Sequence, residues 1–268
     1  MKRSLSLLAL SIATLASHAY ADKLDDIQKA GKITIGVFDS NPPFGYVDAK
    51  SHELAGYDID FAREIATKLG VKLELQTTNP ANRIPLLTAN KVDVIVADFT
   101  ITPERAQKVS FSVPYFVGGQ QFLFPKGKFA KKEDLAAARI GVVKGTTEEQ
   151  EVHHVYPGAK VLAFDEISLA LVALRNGNVQ AITQDGALLA GLLAKTPDKA
   201  KYEISPYIVS REDIGIAVDK GEDRLLGKIN QTLVELEKNG KAGSIYNHWF
   251  GPKTDTPLPR AFKISAAQ

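Results

Sequence analysis

The sequence predicts an α/β protein, on three observations. Apolar spacing switches repeatedly between a strand-like period of two and a helix-like period near 3.6 along the chain. Runs rich in β-branched residues alternate with amphipathic stretches, which is the pattern of β-α-β units. Several predicted strands run within a few residues into a helix-start signal, as in Asp98 to Ile101 before Thr102-Pro103.

The elements follow in order. Lys32 to Phe38 reads as a strand. After the turn residues Asn41-Pro42-Pro43, the stretch Asp58 to Leu69 reads as a helix with Phe61, Ile65, Ala66 and Leu69 as its apolar stripe. Asp58 and Asp60 suit the positive end of its dipole, and Gly70 suits a left-handed stop. Val71 to Gln76 is a strand, Arg83 to Ala89 a short helix, and Val92 to Ala97 a buried strand. Thr102 then offers a capping hydroxyl and Pro103 the first helical position. In open α/β sheets the stretch just after a strand end, here Asp98 to Ile101, is where ligands dock.

The same logic repeats from Pro114. Gln120 to Phe124 and Arg139 to Val143 read as strands, and Thr147-Glu148-Glu149-Gln150 as a capping-box helix start. Lys160 to Phe164 is a strand, Ile167 to Asn176 a helix closed by Gly177, and Val179 to Thr183 a strand running into Asp185-Gly186. Ile214 to Val218 is a late strand, followed by helices over Glu222 to Lys238 and Ala242 to Phe250. The tail from Pro252 to Gln268 is expected to be partly disordered.

The chain has 268 residues and a formal charge of +2, far too small a surplus for a nucleic-acid partner. Both surplus cations, Lys2 and Arg3, precede an apolar run from Leu5 to Ala16 and the small-x-small exit Ala19-Tyr20-Ala21. That order describes a secretory signal peptide over residues 1–21, since a dozen apolar residues fall short of the roughly 20 that span a membrane. The remaining 247 residues carry 31 cations and 31 acids. No cysteine is present, which excludes a disulfide framework, thiolate chemistry and a lipidated signal. A soluble, unlipidated protein of the bacterial periplasm fits these facts.

Gly56-Tyr57-Asp58-Ile59-Asp60-Phe61, followed by Ile65-Ala66 and Leu69, is similar to the signature of the bacterial extracellular solute-binding proteins of the polar amino-acid family, which serve ABC importers. The resemblance continues through Pro42-Pro43-Phe44-Gly45-Tyr46, Lys91-Val92-Asp93, Thr100-Ile101-Thr102-Pro103-Glu104-Arg105, Phe111-Ser112-Val113-Pro114-Tyr115, Gly145-Thr146-Thr147 and Gln184-Asp185, covering nearly all of residues 32–250. It implies a two-lobed Venus flytrap, each lobe a central β-sheet flanked by helices. Residues 22–113 with 211–268 would form lobe 1 and residues 118–206 lobe 2, joined by hinge crossovers at 114–117 and 207–210. The implied function is to bind a polar L-amino acid and present it to the membrane subunits of an ABC permease, as a monomer without cofactor.

A free amino acid is a zwitterion, so its site needs a cationic fork for the carboxylate and an anion for the ammonium. Arg105 is the fork candidate, with Thr100 and Thr102 as hydroxyl donors nearby, in a context that resembles the family's carboxylate clamp. Asp185 occupies the spot of the family's ammonium-binding carboxylate, although a plain N-cap is the alternative there. Thr146 and Thr147 resemble its second carboxylate contact, at a helix N-terminus that favours an anion. Phe44 and Tyr46 would wall the ligand's stem or pack the lobe's rim, and Asn41 and Asp39 share the same loop. Arg83 resembles an arginine that pairs with the distal carboxylate in acidic-amino-acid binders, which points to glutamate or aspartate. Asp98, where relatives carry a small or hydroxyl residue, opposes that choice and leaves glutamine, asparagine or a basic amino acid open.

An enzyme is the rival class, because the same fold serves a dehydratase that needs a general acid in the cleft. In the dehydratases this is a glutamate a few residues after the position of Asp185, where this chain reads Gly186-Ala187-Leu188-Leu189. Glu148 and Glu149 are the nearest substitutes, and a solvated helix turn is their expected place. His153 and His154 face different ways on a helix and have no partner at metal-ligand spacing. A ligand sensor for a membrane receptor would use the same closure.

Overall fold

The computed structural model describes residues 22–266. Residues 1–21, where the signal peptide is expected, lie outside the described residues.

The chain first builds α1 (Lys23–Ala30), β1 (Lys32–Val37), β2 (Ser40–Asn41), β3 (Gly45–Val47), β4 (Leu54–Ala55) and α2 (Tyr57–Leu69). It continues with β5 (Lys72–Thr77), α3 (Arg83–Thr88), β6 (Val94–Ile95), α4 (Pro103–Ala106) and β7 (Val109–Phe111), then leaves by β8 (Phe116–Gly118). A second set follows: β9 (Gln120–Pro125), β10 (Arg139–Val143), α5 (Thr147–Val155), β11 (Lys160–Phe164), α6 (Ile167–Arg175), β12 (Ala181–Asp185), α7 (Gly186–Ala194) and β13 (Tyr202–Ile204). The chain returns by β14 (Glu212–Ile214) and ends with β15 (Ala217–Asp219), α8 (Asp223–Lys238) and α9 (Lys241–Phe250).

Two five-stranded sheets result, in the orders β5-β1-β6-β15-β7 and β11-β10-β12-β9-β13. Each has a parallel heart, β5-β1-β6 or β11-β10-β12, with antiparallel strands beyond it. The outgoing β8 and the returning β14 pair antiparallel with each other, Val117 opposite Asp213, and connect the two lobes.

Helix α2 forms as its stripe dictates: Ile59, Phe61, Ala62, Ile65 and Ala66 are buried, and Gly70 stops it at φ 71°. The large apolar cluster runs from β1 and α2 through Phe44, Tyr57, Phe116 and Phe250 to Leu188 and Leu189 of α7, and a second cluster around Phe122, Phe124 and Ile140 fills lobe 2. Among the described residues, no helix is long and apolar enough to cross a membrane.

Several elements depart from the sequence expectation. The strand expected over 92–97 shortens to β6, because its parallel partner β1 offers it only Ile35 and Gly36. The late strand expected over 214–218 splits into β14 and β15, which serve different sheets, with Gly215 packed against Ile101 and Phe111 at the break. Strand β12 lies two residues later than expected and carries Gln184 and Asp185 as its last members. The tail is not loose up to residue 266: Ile264 is buried and donates its N–H to Glu237 at 3.2 Å, and Phe262 packs on Phe116 and Tyr246.

Candidate functional site

Lobe 1 holds its wall of the cleft by hydrogen bonds that begin in α2. Buried Asp58, in the first turn of α2, accepts the Asp98 N–H at 2.9 Å and the Tyr115 hydroxyl at 2.6 Å. These bonds fix the loop after β6 with Asp98 in the left-handed region, φ 39°, which an Asp tolerates better than most residues. Arg83 grips the same loop from α3. Its guanidinium donates to the carbonyls of Pro80 (3.1 Å), Ala97 (3.0 Å) and Asp98 (2.7 Å) and lies 4.1 Å from the Phe99 ring centre. Arg105, in α4, donates to the Thr100 carbonyl at 2.8 Å and sits 4.9 Å from the same ring. Thr102 caps α4 by accepting the Arg105 N–H, with Pro103 at the first helical position, as the sequence predicts.

Lobe 2 presents the opposite wall at the ends of β10 and β12. The cap of α5 is Thr146, one residue earlier than expected. Its hydroxyl accepts the Glu149 N–H (3.2 Å) and donates to the Val143 carbonyl (2.7 Å), while Glu149 reaches back to the Gly145 N–H (2.9 Å). This closed box occupies Thr146 and Glu149 and turns Thr147 and Glu148 inward. Glu148 is therefore only 2% exposed, not on the solvated turn the sequence suggested. Asp185 makes no side-chain capping bond to α7 and points into the protein against Gly118, where any Cβ would collide with its Oδ1.

The two walls meet. Gly145, at φ 79°, presses on Pro80 and Ala81 of lobe 1, where a Cβ would lie 2.7 Å from the Ala81 Cα. Its carbonyl accepts from Arg105 at 3.0 Å and Arg83 at 3.4 Å. Glu212, on the returning crossover strand β14, accepts hydroxyls from both sides: Thr100 (2.6 Å) and Ser210 (3.0 Å) with Thr147 of lobe 2 (2.9 Å). Between the walls lies a narrow cavity lined by Asn41, Arg83, Asp98, Thr100, Arg105, Thr146, Thr147, Glu148, Gln184 and Asp185, with Phe38 and Pro80 at its edge.

The electrostatics of this cavity are unusual for so small a space. Oxygens of Glu148, Asp185 and Glu212 all lie within 4.8 Å of one another. Burial, followed by the Glu212 charge, raises the Glu148 carboxyl to about 7. Burial also pushes Asp98 and Asp185 well above the usual carboxylate range, helped by Asp58 beside the first and Asp98 beside the second. One oxygen of each of Asp98, Glu148 and Asp185 is buried without a hydrogen-bond partner. Buried polar atoms are normally paired, so these three orphans mark an unfilled requirement for donors or positive charge.

Eight of the twelve site residues read from the sequence line this one cavity; Thr102 is taken up in capping α4, Asp39 is not among the lining residues, and Phe44 and Tyr46 lie elsewhere. Phe44 is wholly buried in lobe 1, with ring centres at 5.0 Å from Phe116 and 5.8 Å from Phe250. Tyr46 faces a different hollow, 6.1 Å from Trp249 and capped by the Lys195 ammonium at 3.8 Å. The alternation of side chains along a strand explains the split, since Asn41 ends β2 toward the cleft while β3 turns Tyr46 away. Sequence reasoning missed Asp58 as the brace of the Asp98 loop, and Glu212 altogether. The available signal for Glu148 was the box over 146–149, which forces the residue before Glu149 onto the other face of the helix.

A family model described as bacterial extracellular solute-binding proteins, family 3, matches residues 33–252. The chain is 35% identical to the ABC transporter glutamine-binding protein GlnH of Bacillus subtilis (strain 168) over 233 residues, which is 85% of this chain and 84% of that protein. Among solved structures it resembles a cysteine-binding protein from Campylobacter jejuni, with a TM-score of 0.82 and 31% identity over 89% of this chain and 96% of that one. It also resembles a mutant of ArgBP from T. maritima, with a TM-score of 0.80 and 37% identity over 85% and 99%. A match across both lobes, at these identities and coverages, places the chain in the bacterial extracellular solute-binding proteins, family 3.

Proposed function

We propose that the protein captures one amino acid between its lobes in the periplasm and delivers the closed form to the membrane subunits of an ABC importer. The observation that carries this reading is the cavity itself, in which Arg105 comes from lobe 1 and Asp185, with one unanswered oxygen, from lobe 2. An α-carboxylate on Arg105, with the first-turn N–H groups of α5 and the Thr147 hydroxyl, and an α-ammonium on Asp185 would satisfy both ends of a zwitterion. Only the closed arrangement makes both contacts, so ligand binding drives closure by differential affinity. The crossovers at 114–117, which runs into β8, and 207–210, just before β14, would serve as the hinge.

Glutamate or aspartate, the ligand suggested by Arg83, has less support than the alternatives. The Arg83 donors are engaged by four backbone carbonyls, which leaves little for a distal carboxylate. Dehydration chemistry has Glu148 as its candidate acid, but no relative named above is an enzyme.

Calorimetry on protein unfolded and refolded to strip bound ligand tests the proposal. The wild-type protein should bind at least one common L-amino acid, and Arg105→Ala should bind none. Near-normal affinity in Arg105→Ala would overturn the assignment of the carboxylate fork.

A further inference from the structure

The charges gathered in the cleft do not balance. Arg83 and Arg105 face four carboxylates, Asp98, Glu148, Asp185 and Glu212, and all six side chains except Arg105 are at least nine-tenths buried. A zwitterion brings no net charge to correct this, and an acidic amino acid makes it worse. Buried charges are tolerated when paired and expensive when not.

The hydrogen bonds separate the four acids into two kinds. Glu212 is answered by three hydroxyls, from Thr100, Thr147 and Ser210. Asp98, Glu148 and Asp185 each keep an oxygen with no donor, and all three line the same cavity. An α-ammonium on Asp185 brings a single charge, even where its three donors are shared with Glu148 and Glu212, whose oxygens lie within 4.8 Å of one another and of Asp185. Asp98 on one wall and Glu148 on the other, each with one oxygen that no protein donor answers, then still exceed the positive charge present.

We propose that the cleft selects an amino acid whose side chain carries a second positive charge, with Asp98 and Glu148 receiving that cation from opposite lobes while Asp185 holds the α-ammonium. The inference rests on the amino-acid reading of the same cleft. A side-chain amide could donate a hydrogen bond to one of the two acids, but it would leave the repulsion between carboxylates uncorrected. A guanidinium or ammonium answers both the orphaned oxygens and the charge. Asp98, the residue that argued against an acidic ligand in the sequence, thereby acquires a positive role.

The test is calorimetry of stripped protein against L-arginine, L-lysine, L-glutamine and L-glutamate, with Glu148→Gln and Asp98→Asn alongside the wild type. Arginine or lysine is expected to bind at least tenfold more tightly than glutamine, with glutamate weakest. Each variant should reduce that cationic preference about tenfold, and far-ultraviolet circular dichroism verifies that each is folded. Should either variant fail to fold, the wild-type ranking and the other variant still decide. Glutamine or glutamate binding more tightly than both cationic ligands would overturn this inference and leave the amino-acid reading standing. Stabilisation by calcium ions without any amino-acid binding would overturn both.

Discussion

The two walls of the cleft are built on opposite terms. Lobe 1 contributes both guanidinium groups, and each already donates to main-chain carbonyls while stacking on Phe99. Lobe 2 contributes Glu148 and Asp185, each with a buried oxygen that nothing answers. Arg83 is thus committed to four carbonyls, whereas Arg105 donates to two and keeps further N–H groups for a carboxylate. Asp98 is the exception that sharpens the contrast: its backbone is held by Asp58 and Arg83, yet its carboxyl shares the unmet requirement of the far wall. Charge alone does not make an arginine a ligand reader; the donors left over after its own partners decide.

Substitutions can break this comparison. The largest effect is expected for Arg83→Ala, which would strand the carbonyls of Pro80, Ala97 and Asp98 inside lobe 1. At 1–3 kcal/mol for each unpaired buried group, a loss of about 4 kcal/mol in stability is expected by urea denaturation. Binding of all amino acids should fall together; a loss confined to acidic ligands would restore Arg83 as a side-chain reader. Asp58→Ala should cost about 3 kcal/mol, because the Asp98 N–H and Tyr115 hydroxyl lose their shared acceptor. An unchanged urea midpoint would show that the loop is held by other means.

Gly145→Ala addresses the meeting of the walls. The added methyl collides with Ala81 only when the lobes are together, so ligand affinity should fall about tenfold, or ~1.4 kcal/mol. Part of the stability change, about 1 kcal/mol, would come from the left-handed backbone and would appear without ligand. Affinity equal to wild type would separate Gly145 from closure.

The acid wall should also respond to pH. Glu148, raised to about 7, faces Arg105 and Arg83 across the cleft and the acids Asp98, Asp185 and Glu212 around it. A cationic ligand favours its ionised form, so protonation competes with binding as pH falls below about 7. Arginine affinity should therefore drop by up to about tenfold from pH 7.5 to 6, one proton being taken up per site. A pH-independent affinity would mean that Glu148 does not meet the ligand's charge. The smallest effect belongs to Lys195→Ala, which removes a cation from the Tyr46 ring outside the cleft and should shift stability by about 0.5 kcal/mol without altering ligand preference.

Much of this was legible in the chain itself. Helix α2 and its stop at Gly70 follow from an apolar stripe, first-turn acids and a glycine, all local signals. The cap at Thr102 and the arginine three residues later are equally local. Asp98, Arg105, Thr147 and Asp185 line one cavity because they stand at strand ends and helix starts, which an α/β architecture gathers to one side. What escaped depends on distant partners. Nothing near Glu212 in sequence shows that Thr100, 112 residues away, donates to it, or that β14 and β15 divide a single apolar run between sheets. The fate of Arg83 was hidden for the same reason, since its acceptors include Ala97 and Asp98 on another element.

The most direct test of the account is solution small-angle X-ray scattering on stripped protein, with and without saturating L-arginine. Because the ligand is held to touch Arg105 on one lobe and Asp185 on the other, its addition should reduce the radius of gyration, and Arg105→Ala should abolish the change. Binding seen by calorimetry with no change in the scattering curve would contradict a site shared between the lobes.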